Sequence, residues 1–184
     1  MQNNSHDLRA IAQKFKDKLL PIKVVIFDVD GILTNGMVYY AGQELGFNRH
    51  FYVPDGYGIK VMMEAGIKVG IITGGDSVGV RKRFELLKVD FLCLGNEDKR
   101  ESFLKIKNEM NIDFKNMLYM GDEHFDMPLL KKAGFSATAP HANNEVKEVC
   151  DYVTTCKGGE GAVREVIDIL RYAQGIVPRV EDFK

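Results

Sequence analysis

Val24-Val25-Ile26-Phe27-Asp28-Val29-Asp30-Gly31-Ile32-Leu33-Thr34 is the stretch on which the fold turns. Its first four residues are apolar, as in a strand buried on both faces. The apolar run stops at Asp28. Asp30 lies two positions on, so extended backbone would project both carboxylates to one side. Gly31 then lets the chain turn away. Two acids at the carboxyl end of a buried strand repel each other, and a divalent cation there would offset the repulsion. In an open α/β sheet this end of the strands is also where ligands bind.

Outward from that strand the pattern alternates. Val38-Tyr39-Tyr40 and residues 47–52 are rich in aromatics and flank a Gly-containing turn, which predicts a β-hairpin over about residues 37–52. A helix follows over about residues 55–65, ended by Gly66. Further strands are predicted at residues 68–72, 90–94, 117–120, 135–138 and 152–153. Helices separate them, the last over about residues 161–173. Strands separated by helices pair in parallel through right-handed crossovers. The expected class is α/β: a doubly wound, Rossmann-like parallel sheet with helices on both faces and an inserted hairpin. Residues 1–20 form an N-terminal extension with Leu8, Ile11, Phe15 and Leu19 at helical spacing, as in a helix packed on the domain. The main domain is assigned to residues 21–175, and residues 176–184 to a tail without regular structure. An isolated hairpin is marginal, so its aromatics need a cover, and a neighbouring subunit is one candidate.

Composition narrows the partners. A chain of 184 residues with 45% hydrophobic content suits one domain with a full core. A formal net charge of -1 gives no reason to expect nucleic acid or an anionic membrane. No apolar run approaches the roughly 20 residues that cross a bilayer, and no signal-peptide core is expected. Cys93, Cys150 and Cys156 are odd in number and lack CxxC spacing, which fits reduced thiols in a cytoplasmic protein. His6, His50, His124 and His141 show no paired spacing of the kind zinc needs.

Polar residues recur at the predicted strand exits. Asp28 and Asp30 follow the first strand, Thr73 the second, Lys99 the third, and Asp122 and Asp126 the next. The strand-end rule lets all of them converge in one crevice. Their chemistries are complementary. One carboxylate can attack phosphorus and a second can move the proton. A third can help hold Mg²⁺, while Thr73 and Lys99 donate to phosphoryl oxygens. Each residue alone also fits a plain structural role, as turn, solvated lysine or helix cap. The ordered set at successive strand ends is what points to chemistry.

These residues resemble the haloacid dehalogenase-like superfamily. Residues 28–34 are similar to its first motif, Ile71-Ile72-Thr73-Gly74 to its second, Lys99 to its third and Gly121-Asp122-x-x-x-Asp126 to its fourth. The resemblance implies Asp28 as nucleophile and Asp30 as general acid/base. It implies Mg²⁺ bound by Asp28, the Asp30 main-chain carbonyl and Asp122. It gives Thr73 and Lys99 to the phosphate, with Asp126, Gly74, Thr34 and Arg164 in supporting or substrate-binding roles. The gaps between motifs hold only the hairpin and single helices, so no cap domain is expected. That matches the capless branch of the family, whose small members enclose their sites with a neighbouring subunit.

Thr34-Asn35-Gly36, residues 53–59 and residues 157–165 also resemble the capless sugar-acid phosphatases of lipopolysaccharide precursor synthesis. The resemblance implies a phosphorylated eight-carbon sugar acid as substrate and a homotetramer. Those enzymes usually carry arginine where this chain has Pro54 and Gly75, which keeps a nine-carbon, sialic-type acid 9-phosphate open as the substrate. Arg49, His50, Lys157 and Arg164 remain as candidate substrate cations, and His141 as a residue of the rim. A phospho-acceptor signalling module would also use acids, a Thr and a Lys. Its acceptor Asp ends a later strand, and the hairpin and carboxy-terminal glycines have no place in that plan.

Overall fold

The computed structural model describes residues 7–181. Along the chain, β1 (Val24–Phe27) leads to a small hairpin of β2 (Tyr39–Tyr40) and β3 (Phe47–Asn48). Then follow β4 (Lys68–Thr73), β5 (Phe91–Leu94), β6 (Met117–Met120), β7 (Phe135–Thr138) and β8 (Tyr152–Val153). The main sheet has six strands in the order β5-β4-β1-β6-β7-β8, every neighbouring pair parallel. Phe27 is level with Ile71 on one side and Met120 on the other. The chain builds outward from β1 to β5, then returns past β1 to start β6. Such a reversal splays the crossovers to opposite faces and opens a crevice at the strand ends.

Period-two alternation divides the core. Val25 and Phe27 pack on one face with α3 (Val53–Glu64) and α8 (Ala162–Gln174). Val24 and Ile26 pack on the other with Phe103 and Ile106 of α5 (Arg100–Glu109). α4 (Val78–Leu87) is the whole connection between β4 and β5, and the hairpin and α3 are the whole connection between β1 and β4. No cap domain stands between these strands, as the motif spacing predicts.

The lead-in packs as its apolar spacing predicts. Its short helices α1 (Leu8–Lys14) and α2 (Lys16–Leu19) lie on α8, and Phe15 meets Phe135 edge-on at 5.3 Å between ring centroids. Residues 1–6 of the expected extension and residues 182–184 of the expected tail lie outside the described residues.

One local expectation is corrected. The backbone does not stay extended through Asp28-Val29-Asp30. It coils over Val29–Leu33, with Gly31 at φ +87°. The Thr34 hydroxyl closes this coil by donating to the Val29 carbonyl at 3.1 Å and accepting the Gly36 N–H at 3.3 Å. The two carboxylates therefore take different partners from different walls of the crevice.

Candidate active site

Asp28 is the first residue beyond β1, and its N–H donates to the Met120 carbonyl at 2.9 Å. Its carboxylate is buried and meets Lys99 Nζ at 2.8 Å. Lys99 immediately precedes α5 and is fully buried. Its ammonium also contacts Asp126 Oδ1 at 2.7 Å and lies 4.5 Å from the centre of the Phe125 ring. Asp126 has both oxygens occupied. Oδ1 accepts from Lys99 and from the Tyr119 hydroxyl at 2.6 Å, while Oδ2 accepts the N–H groups of Asp122 and Glu123, each at 3.1 Å. So tied, Asp126 orients Lys99 toward Asp28.

Asp122 closes the group at the end of β6. Its Oδ2 is 3.0 Å from His141 Nε2, whereas its Oδ1 is buried with no hydrogen-bond partner. Buried polar atoms left alone are costly, so this oxygen needs a ligand. Asp28, Asp122 and Asp126 each offer an oxygen, all within 4.8 Å of one another. An all-carboxylate donor set suits a hard divalent cation such as Mg²⁺. Since Asp126 is already saturated, Asp28 and Asp122 are the side chains with capacity for it.

The electrostatics agree. Burial pushes the Asp28 carboxyl up to about 8, with Lys99 opposing the shift and Asp126 adding to it. Burial likewise pushes Asp122 up to about 7, helped by Asp126. Burial works against the Lys99 charge, yet Asp28 and Asp126 outweigh it and hold its pKa above the usual lysine value. One buried cation thus stands against three buried or half-buried acids, an excess of negative charge that a divalent ion would neutralise.

Close packing holds the floor together. A Cβ on Gly31 would fall 2.0 Å from Asp122 Oδ2. A Cβ on Gly158 would fall 1.7 Å from the Gly31 carbonyl oxygen. The turn before α8 therefore presses backbone to backbone on the coil that carries Asp30.

Thr73 ends β4, buried, with Oγ1 accepting the Gly75 N–H at 3.2 Å and its own proton free to donate. Gly74 follows against Glu97, whose Cγ lies 3.0 Å from where a Cβ would be. Thr34 turns its hydroxyl to the coil, so its place is structural. Arg164 does not join the group. Its Nε donates to Asp168 at 3.1 Å, and it lines a separate cleft of about 350 Å³ with Tyr52, Pro54 and Glu160. Its backbone N–H is held by Asp55 at 2.8 Å, which fixes this part of α8 beside the start of α3. Two contacts were not legible beforehand. Arg49 grips Asp30, and His141 reaches Asp122; both join residues far apart in sequence. The sequence singles out both residues, Arg49 as a candidate substrate cation and His141 as a residue of the rim, but not the carboxylates they meet.

Fold and site together define a capless phosphoryl-transfer hydrolase with a carboxylate at the end of the central strand. The sequence model of haloacid dehalogenase-like hydrolases matches residues 92–167. The 3-deoxy-D-manno-octulosonate 8-phosphate phosphatase of Escherichia coli K12 is 38% identical over 84% of this chain and 81% of its own length. The crystal structure of the corresponding Moraxella catarrhalis phosphatase, in complex with magnesium ion, phosphate ion and KDO, superposes with TM-score 0.84 at 34% identity, over 89% of this chain and 93% of that one. The cobalt-bound Haemophilus influenzae phosphatase superposes with TM-score 0.81 at 35% identity, over 86% and 92%. This chain belongs to the haloacid dehalogenase-like hydrolases, in the branch that holds these octulosonate phosphatases.

Proposed function

We propose that this chain is a Mg²⁺-dependent phosphomonoesterase that hydrolyses 3-deoxy-D-manno-octulosonate 8-phosphate, a step in lipopolysaccharide precursor synthesis. The observation that carries the chemistry is the buried Asp28–Lys99–Asp126 chain, at 2.8 and 2.7 Å, beside the unpartnered Asp122 oxygen. Asp28 attacks phosphorus, and the alcohol leaves with a proton from Asp30. Water then attacks phospho-Asp28, and Asp30 takes the water proton. Thr73 and Lys99 hold the phosphoryl oxygens, and Asp126 positions Lys99. Asp28, the Asp30 carbonyl and Asp122 would hold Mg²⁺, which supplies charge neutralisation at the transferring phosphoryl group when bound. The 38% identity over most of both chains and the TM-score of 0.84 with the octulosonate phosphatases support the substrate.

We take the assembly to be a homotetramer, as the family resemblance implies; Tyr40 and Phe47 of the hairpin, 61% and 59% exposed, support a cover by a neighbouring subunit. Three unpaired cysteines fit a cytoplasmic setting. No helix among the described residues is long and apolar enough to cross a membrane. Residues 21–175 would form the phosphatase domain and residues 1–20 its N-terminal extension, of which residues 7–20 pack on it.

Phosphate release should be measured with Mg²⁺ and with chelator against octulosonate 8-phosphate, nine-carbon acid 9-phosphates and hexose phosphates. The octulosonate ester should give the highest kcat/KM. Preference for a nine-carbon ester would move the substrate to that class, for which the absence of cations at Pro54 and Gly75 leaves room. Chelator-resistant turnover would remove the metal.

A further inference from the structure

Asp30 is the exposed member of the acid pair, its side chain 35% accessible at the mouth of the crevice. A carboxylate so placed rotates freely unless something holds it. Arg49, from the limb just after β3, holds it with a fork. Nε donates to Oδ1, and Nη2 donates to Oδ2 at 2.7 Å. The guanidinium is itself only 8% exposed, and Nη1 donates to Ser77 Oγ at 3.2 Å, at the residue that caps α4. The Arg49 N–H donates to the Asn48 side chain at 2.9 Å, and that side chain lies against Gly79 of α4. The fork is thus anchored on a helix that starts just beyond the Thr73 strand.

Residue 75 completes the device. A Cβ on Gly75 would lie 2.7 Å from Arg49 Nη2 and 3.4 Å from Asp30 Oδ2. Real Cβ atoms do not approach as closely as 2.7 Å, so a side chain at 75 would require the guanidinium end of Arg49 to shift from its present fork. The absence of a side chain at 75 is what admits the guanidinium.

We propose that Arg49 is a positioning residue for Asp30, acting in the second half of the reaction, with Gly75 as the gap that admits it. This rests on the reading of Asp30 as the proton-transferring acid. In that half reaction a water oxygen bonds to phosphorus. The bond from Asp28 to phosphorus breaks, and its electron pair returns to the Asp28 carboxylate. The proton lost by water passes to Asp30, and inorganic phosphate leaves. Each Asp30 oxygen donates one lone pair to the fork and keeps another for that proton. A bidentate fork fixes the plane of the carboxylate as well as its place, which a lysine at 49 would not.

Stopped-flow nitrophenolate release from p-nitrophenyl phosphate, with Mg²⁺, separates the steps, because this leaving group needs no proton. In Arg49→Ala the first turnover should stay within about threefold of wild type, while steady-state kcat falls on the order of 10²-fold, leaving a burst of one nitrophenolate per site. Arg49→Lys should recover part of the loss. Gly75→Ala, which keeps Arg49 but displaces it, should show the same burst and tests the idea independently of how Arg49→Ala folds. Equal slowing of both phases in the two variants, unchanged kinetics in either, or a rise in KM with kcat preserved would overturn the role of Arg49. No Mg²⁺-dependent release by wild type would overturn the phosphatase reading and this role together.

Discussion

The floor of the crevice and the hairpin above it differ in almost every physical respect. On the floor, Lys99, Asp126 and Tyr119 are almost wholly inaccessible, and each has a partner within 2.8 Å. The hairpin strands are two residues long, and they present Tyr39, Tyr40 and Phe47 to solvent. The floor is held by a six-stranded sheet, the hairpin by a single antiparallel pair. Phosphoryl transfer needs groups fixed to within a fraction of an ångström, which rigid strand ends supply. The hairpin's exposed aromatics are instead free to be covered, in the proposed assembly, by a second subunit. Arg49 is where the two regions touch, a buried guanidinium just beyond the hairpin that reaches Asp30 at the mouth of the crevice.

Breaking the floor should have the larger consequences. Asp28→Asn should lower phosphate release by at least about 10³-fold, read by a phosphate assay. The same variant should melt no lower than wild type at pH 8 without metal, because it removes a carboxyl that burial disfavours in its charged form. Lys99→Met leaves Asp28 and Asp126 without their cation, and urea unfolding at pH 7 should show a loss of about 3–5 kcal/mol.

The pH dependence of the metal-free protein sharpens the same contrast. Asp28 and Asp122 are pushed up to about 8 and about 7 in the fold, against 3.8 for the ordinary side chain. Between those values the folded state binds more protons than the unfolded state, so stability falls as pH rises. Thermal melts in chelator should drop steadily from about pH 5 to about pH 8. Added Mg²⁺ should restore more stability at pH 8 than at pH 5, since the cation binds the ionised carboxylates. A melting temperature that rises with pH in chelator would contradict the excess of buried negative charge.

Smaller effects belong to the edges of the site. Thr34→Val removes the hydroxyl that closes the coil, and should cost about 1 kcal/mol in urea unfolding while leaving kcat per folded molecule unchanged. Tyr40→Glu with Phe47→Glu should change the unfolding free energy of the isolated subunit by only about 0.5 kcal/mol. On the proposed homotetramer, sedimentation should nevertheless shift toward smaller species. A wild type that sediments as a monomer would leave the hairpin without the cover assigned to it.

The sheet was legible in sequence because each strand is a short apolar run closed by a polar or turn residue. Val24 to Phe27 ending at Asp28, and Met117 to Met120 ending at Gly121-Asp122, are readable by that rule alone. Asp28, Thr73, Lys99, Asp122 and Asp126 follow from it, since parallel strands deliver their exits to one edge. Side-chain direction was not legible where backbone leaves the strand. The coil at Val29–Leu33 breaks the period-two rule, so the partners of Asp30 could not be deduced from its spacing to Asp28. Arg164 sits in a helix whose first turn is fixed by Asp55, 109 residues away, and no local pattern encodes that contact. His141 and Arg49 depend on similar long-range approaches.

The contact between Gly158 and Gly31 bears on how the protein is made. Synthesis delivers Asp28 first, Lys99 later, Asp126 later still, and the glycine turn that presses on Gly31 near the end of the chain. Until then the first strand carries two acids without the closing turn in place. The closing turn leads straight into α8, which covers the Val25 and Phe27 face of the sheet, so the pocket and that half of the core are both completed only by the last quarter of the chain.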